Sequence, residues 1–300
     1  MSLLDEPRWA FVALATPVAA APDGALEPDI GRMAALASDV LAGGCNGIVP
    51  FGTTGEGPAF SVAQRIEAVE GLVAAGIPAA KMIVGIGATA LADAVALARH
   101  AVALGCPVLA PPPFFLREGD GPGIVKAIGR LIAQVARPEL RVLLYNIPQV
   151  SGFPIPVPSM LALAAAHPGV VVGVKDSCPD WGPVEATVRG RGPLLVAVGV
   201  EEFIQPAMAL GGCGTICGLA NLTPRTAARV VAGDAEAAAG IADLAAAFGE
   251  RSFLPTLKAT LASLRGDDAW RHPMPPIEPL DDAEVSHIAE IALRLEAQGR

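Results

Sequence analysis

Lys175 closes a run of small and apolar residues, Val170-Val171-Val172-Gly173-Val174, and is followed by Asp176-Ser177. Such a run reads as a strand buried on both faces. Lysine is seldom enclosed without a partner, and burial disfavours an ammonium ion. An amine so placed is a usable nucleophile, able to condense with a ketone or aldehyde to a Schiff base. Taken alone, the run also fits a strand that simply ends in solvent. Tyr145, the one tyrosine of the chain, ends another apolar run and offers a phenol that can donate and accept a proton. Gly52-Thr53-Thr54-Gly55 supplies consecutive backbone N–H groups and hydroxyls from Thr53 and Thr54, a cradle for a carboxylate. Each of these is ordinary by itself, a strand end or a turn. An amine, a phenol and an anion cradle together suit a substrate with a carboxylate next to a ketone.

The elements that must position these groups alternate along the chain. Apolar runs at 9–17, 47–51, 81–85, 107–110, 141–146, 170–175, 194–199 and 214–217 read as strands. Alanine-rich stretches of helical period lie between them, at 29–42, 91–104, 123–136, 158–166 and 202–210, with a further helix opened by Ser61 as N-cap. Eight strand–helix units with short links predict an α/β fold, a (β/α)8 barrel. The three groups then fall at strand ends, where barrels of this kind keep their active sites. After the eighth strand only helices are expected, at 224–232, 235–248, near 255–264 and at 281–297, with 272–279 as a proline-rich loop. The division expected is residues 1–221 as barrel and 222–300 as a helical extension packed on it.

Composition narrows the function. The chain has 300 residues, 52% of them hydrophobic, and a net charge of −9. An acidic chain with no basic cluster argues against nucleic acid and against anionic membrane surfaces. No apolar run reaches about 18 residues, so no membrane span is expected. Lysines are few (Lys81, Lys126, Lys175, Lys258), which makes one at the end of a buried strand the more notable. The five cysteines, Cys45, Cys106, Cys178, Cys213 and Cys217, form no Cys-x-x-Cys pair. They read as small buried reduced thiols in a cytoplasmic protein. Acids at Asp5 and Glu6 stand where a signal peptide needs bases.

Three motifs in register, Gly52-Thr53-Thr54-Gly55-Glu56, Tyr145-Asn146-Ile147-Pro148 with Ser151-Gly152, and Gly173-Val174-Lys175-Asp176, resemble the dihydrodipicolinate synthase / N-acetylneuraminate lyase family. The resemblance runs over about residues 8–298. It implies a class I pyruvate-dependent aldolase or lyase on a (β/α)8 barrel with a C-terminal helical extension, a homotetramer, with no cofactor and no metal. It implies that Lys175 forms the imine with pyruvate, that Tyr145 relays protons with Thr53, and that Thr54 and the Gly52 turn hold the carboxylate. Gly199 and Ile216 fall where the family meets its substrate through main chain. Val150 stands where the synthase branch has a carboxylate-binding arginine, and Phe115 where the family places a tyrosine of the neighbouring subunit in the relay. Glu201 and Glu202 occupy places comparable to the hydroxyl-binding acids of the sialate lyase branch; they also read as helix-start acids favoured by the dipole.

The expected reaction is cleavage or formation of a carbon–carbon bond next to the pyruvate methyl. The expected substrate is a 2-keto-3-deoxy sugar acid or similar 2-oxo acid, with an aldehyde as second partner, rather than the synthase's own. A hydratase or dehydratase working through the same lysine imine is the nearest alternative, and a dihydrodipicolinate synthase-like enzyme stands beside it. A keto-acid-binding pseudoenzyme is another, suggested by Phe115 and Val150. Gly85-Ile86-Gly87-Ala88 between a strand and a helix admits a dinucleotide site, but the next strand ends in Pro111-Pro112-Pro113 with no acid for a ribose.

Overall fold

The structure is a computed structural model that describes residues 8–115, 117 and 119–299. The acids at Asp5 and Glu6 lie outside the described residues. The strands are β1 (Trp9–Ala13), β2 (Val18–Ala20), β3 (Leu26–Pro28), β4 (Gly47–Val49), β5 (Val84–Gly85), β6 (Val108–Ala110), β7 (Val142–Asn146), β8 (Val171–Asp176), β9 (Leu195–Val198) and β10 (Gly214–Cys217). Eight of them follow one another in the order β4-β1-β10-β9-β8-β7-β6-β5, and every pairing is parallel. A parallel bridge between Ile48 and Met82 joins the two ends into a barrel. The expected (β/α)8 architecture is the one observed.

Alternation along each strand decides what faces the axis. Phe11, Val49, Ile83, Leu109, Leu143, Tyr145 and Ile216 fill the interior, a cluster separate from the larger one under the helices. Phe11 is admitted because Gly47 has no side chain: a Cβ there would stand 2.3 Å from the Phe11 ring. Register pairs Tyr145 with Lys175 and Lys175 with Ala197. Lys175 therefore points inward, and Asp176, one residue on, points to the helix layer.

The helices are α1 (Ile30–Ala42), α2 (Val62–Ala74), α3 (Leu91–Ala103), α4 (Gly121–Val135), α5 (Pro148–Ser151), α6 (Val157–Ala166), α7 (Trp181–Arg189), α8 (Ile204–Ala209), α9 (Pro224–Ala232), α10 (Ala235–Phe248), α11 (Phe253–Arg265) and α12 (Asp282–Gln298). Ser61 caps α2 through a reciprocal pair with Gln64, as expected, and Asp281 does the same for α12 with Glu284. Two features had no counterpart in the sequence reading. The first strand stops at Ala13, and the chain leaves the sheet for the β2–β3 hairpin. Helix α7 was missed because Gly182 and Pro183 look like a loop; the first turn of a helix tolerates proline, since its N–H groups have no partner within the helix.

Helix α9 packs against β1, α1 and α8. All five cysteines are free and buried. Burial pushes the Cys45 thiol up to about 12 and Cys106 to about 11, which makes them inert. Among the described residues no helix is long and apolar enough to cross a membrane.

Candidate active site

The site is assembled at the C-terminal mouth of the barrel. Lys175 is 4% exposed, and its Nζ lies 4.4 Å from the centroid of the Tyr145 ring. The ring face shelters a cation in this geometry. The Tyr145 hydroxyl lies 3.2 Å from Thr53 Oγ1, and either can donate. Adjacent parallel strands fix the first contact, and the turn after β4 brings in the second. The residues expected to carry the chemistry, Lys175, Tyr145 and Thr53, form one connected set.

The turn itself is held under strain. Phe51 and Glu56 both adopt left-handed backbone, at φ 59° and 54°. Gly55 and Gly57 are required by close approach: a Cβ on Gly57 would stand 2.2 Å from the Phe51 carbonyl oxygen, and one on Gly55 2.8 Å from that of Leu14. The N–H groups of Thr53 and Thr54 have no acceptor among the described residues. Behind the turn, Glu56 accepts from Lys258 Nζ of α11 at 2.5 Å and from the Met274 N–H at 2.6 Å, while the same Nζ donates to the Thr16 carbonyl at 2.8 Å. Lys258 has no exposed surface. Burial pulls its ammonium below the usual lysine value, and the charge of Glu56 pulls it back.

Gly199 sits against the Lys175 side chain. A Cβ there would stand 1.9 Å from Ser177 Oγ and 3.2 Å from Lys175 Cε. Asn146 ties two of the mouth's loops together: its amide donates to Asp176 Oδ1 at 2.9 Å and accepts from the Ile155 N–H at 2.9 Å. The Gln149 amide adds a bond to the Ser177 carbonyl at 2.7 Å. Asp176 is fully enclosed, and burial raises its carboxyl above the usual carboxylate range.

Other expected residues are placed differently. Glu201 is buried, and one of its oxygens accepts from the Leu219 N–H at 2.9 Å. Burial raises its carboxyl above the usual range, opposed by that bond and by the charge of Lys175. Glu202 is exposed. Ile216 has no exposed surface. Gly52 and Val150 line a cleft beside Tyr145, whereas Phe115 is 74% exposed and the neighbouring Phe114 lines the cleft instead. Arg117, the nearest basic residue in sequence, lies against Gly152. The sequence reading missed the Glu56–Lys258 pair and the Asn146–Asp176 bond; the only signal for either was the placement of a polar residue inside an apolar helix or at the end of an apolar strand. Among the described residues no group of three or more His, Cys, Asp or Glu side chains could hold a metal ion.

The dihydrodipicolinate synthetase family model matches residues 8–293, almost the whole chain. The chain belongs to this family. An uncharacterized DapA-like lyase of Chloroflexus aurantiacus is 34% identical over 261 residues, which cover 81% of this chain and 83% of that one. A 4-hydroxy-tetrahydrodipicolinate synthase of Sorangium cellulosum is 32% identical over 301 residues, 96% of each chain. Among solved structures, a dihydrodipicolinate synthase from Agrobacterium tumefaciens superposes with a TM-score of 0.87 at 27% identity, covering 96% of this chain and 99% of that one. Members of the dihydrodipicolinate synthetase family are lyases of the class I aldolase kind, and Schiff-base chemistry on pyruvate is characteristic of them. This chain is a lyase of that kind.

Proposed function

We propose that the chain forms a Schiff base between Lys175 and pyruvate and makes or breaks a carbon–carbon bond at the pyruvate methyl carbon, acting on a 2-keto-3-deoxy sugar acid or similar 2-oxo acid. The observation that carries this is the enclosed amine 4.4 Å over the Tyr145 ring, with that tyrosine's hydroxyl 3.2 Å from Thr53. The Lys175 nitrogen attacks the ketone carbon, and loss of water leaves an imine. Protonated, the imine draws electrons from the adjacent methyl carbon as one C–H bond there breaks, its proton leaving through the Tyr145 oxygen, and an enamine results. In the synthetic direction the enamine carbon attacks an aldehyde carbon, the aldehyde oxygen takes a proton, and water hydrolyses the imine to release a 4-hydroxy-2-oxo acid and the free amine. Tyr145 moves the proton on that oxygen, with Thr53 as its hydrogen-bond partner. Thr54 and the Thr53–Thr54 N–H groups hold the pyruvate carboxylate, and Gly199 leaves room beside the amine.

The synthase's own second substrate is a weaker fit. A carboxylate partner calls for a guanidinium, which binds it through two parallel charged bonds, and Val150 offers neither charge nor donor. A homotetramer and a cytoplasmic setting belong to the same proposal. The exposed Phe115 supports the first, as a ring that a neighbouring copy would cover. The test is mass spectrometry after borohydride reduction with pyruvate. A reduced pyruvyl mass on Lys175, with loss of turnover, is expected; a label on Lys81, Lys126 or Lys258, or none, removes the mechanism.

A further inference from the structure

The cleft beside Tyr145 has a wall that the imine chemistry does not use. Its side chains include Pro58, Leu109, Pro111, Phe114, Ile147 and Val150, and among the described residues none of the side chains that line it is charged. The wall is apolar by construction as well as by composition. Gly85 and Gly87 line it through their backbone, and their carbonyl groups are already taken. From below, the Arg65 guanidinium donates to the Gly85 oxygen at 2.6 Å and to the Gly87 oxygen at 2.8 Å. Arg65 is 2% exposed and lies 5.7 Å from the Phe51 ring centroid, so its own charge is spent beneath the floor. A Cβ on Gly87 would stand 3.1 Å from Pro111, so glycine there keeps the floor open.

The charged groups nearest the mouth are also engaged. Glu56 is paired with Lys258, and Glu201 accepts from the Leu219 N–H. Arg117 is on Gly152 and does not line the cleft. The hydroxyls that remain belong to Thr53 and Tyr145, which bond each other. A polyhydroxylated chain entering here would give up water and find few partners, at a cost that hydrocarbon does not incur.

We infer that this wall is the seat of the aldehyde's substituent, and that the substituent is hydrocarbon, aliphatic or aromatic, in place of a polyol or a carboxylate. The inference rests on the proposed pyruvate chemistry but replaces the sugar acid proposed with it: within the similar 2-oxo acids it selects 4-hydroxy-2-oxo acids with an apolar tail. The bond formed is still the one between the enamine carbon and the aldehyde carbon; only the group beyond that carbon is specified. Each methylene buried against the wall is expected to raise kcat/KM about fourfold.

The experiment compares kcat/KM for pyruvate consumption with ethanal, propanal, butanal and benzaldehyde against glyceraldehyde and succinic semialdehyde. A rise with each methylene, and at least a tenfold preference for butanal or benzaldehyde over glyceraldehyde, is expected. Val150→Arg is expected to reduce that preference while leaving the borohydride adduct on Lys175 intact. The inference is overturned by a tenfold preference for glyceraldehyde or the semialdehyde, by no dependence on chain length, or by an adduct that condenses with none of the aldehydes. If no adduct forms, the pyruvate reading fails on its own, and saturation-transfer NMR still decides the wall. Benzyl alcohol bound in the parent and lost in Val150→Arg, with no signal from glycerol, supports it; glycerol bound in preference overturns it.

Discussion

Lys258→Met separates the turn from its anchor. The ammonium has no exposed surface, the Glu56 side chain is 4% exposed, and the two lie 2.5 Å apart. Methionine keeps the length of the stem, so the change is mainly electrostatic. Glu56 is left buried with one bond, from the Met274 N–H, and the Thr16 carbonyl loses its donor. Removing one partner of a buried pair costs about 3–5 kcal/mol, because the remaining charge is uncompensated. For a chain of this size about 2 °C of Tm follows each kcal/mol, a fall of about 6–10 °C. Urea unfolding measures the free energy directly, and thermal unfolding gives the shift. Glu56→Gln added to Lys258→Met removes the stranded charge and still accepts from Met274, so the double variant should recover most of the loss. The anchor also holds Phe51 and Glu56 in their left-handed conformations, so the single variant should raise KM for pyruvate. A single variant within about 1 kcal/mol of the parent, or a double variant as unstable as the sum of its parts, would refute the reasoning.

Tyr145→Phe should slow turnover by about two to four orders of magnitude while the borohydride adduct still forms; unchanged turnover would assign the proton to another group. Gly199→Ala should slow adduct formation, because its Cβ would fall 1.9 Å from Ser177 Oγ and 3.2 Å from Lys175 Cε. Ser177→Ala in the same chain should restore part of the rate, and a single variant as fast as the parent would show that the mouth has slack. Glu201 binds its proton more tightly folded than unfolded, because burial raises its carboxyl. The folded state then holds more protons in the window just above the ordinary glutamate value, and stability is lost as pH rises through it. Glu201→Gln should therefore gain stability relative to the parent at pH 8 more than at pH 5; unfolding at both pH values checks this, and the opposite order contradicts it.

The strand ends were legible because period-two alternation and apolar runs are local. Tyr145 and Lys175 sit at the ends of two such runs, and parallel register does the rest. The turn after β4 was legible from its glycines and threonines. What supports the turn was not, since Glu56 and Lys258 are 202 residues apart and no local pattern couples them. The cleft wall was hidden for a similar reason: Leu109, Pro111 and Ile147 come from different strand ends, and Arg65, which occupies the carbonyls of Gly85 and Gly87, comes from a helix. Read in sequence, Glu201 and Glu202 fit hydroxyl-binding acids and helix-start acids equally; in space one accepts from a backbone N–H and the other is exposed. The hairpin at β2 and β3 fell in the link between the strand expected at 9–17 and the helix expected at 29–42, where two strands of three residues each leave little pattern.

The pairing of β1 with β10 has a consequence for how the chain is made. Trp9 to Val12 bond Gly214 to Cys217 on one side, and β4 covers the other. The first strand is translated with the ribosome still about 200 residues from its second neighbour, which at 5–20 residues per second is a delay of about 10–40 s. Through that interval Trp-Ala-Phe-Val-Ala, every residue of which ends buried, keeps one backbone edge open. An unpaired apolar edge is a template for other chains. Nascent molecules on one message would thus meet through the segment that later closes the barrel, and slow translation or a crowded polysome should lower the yield of soluble protein without any change in the stability of the finished fold.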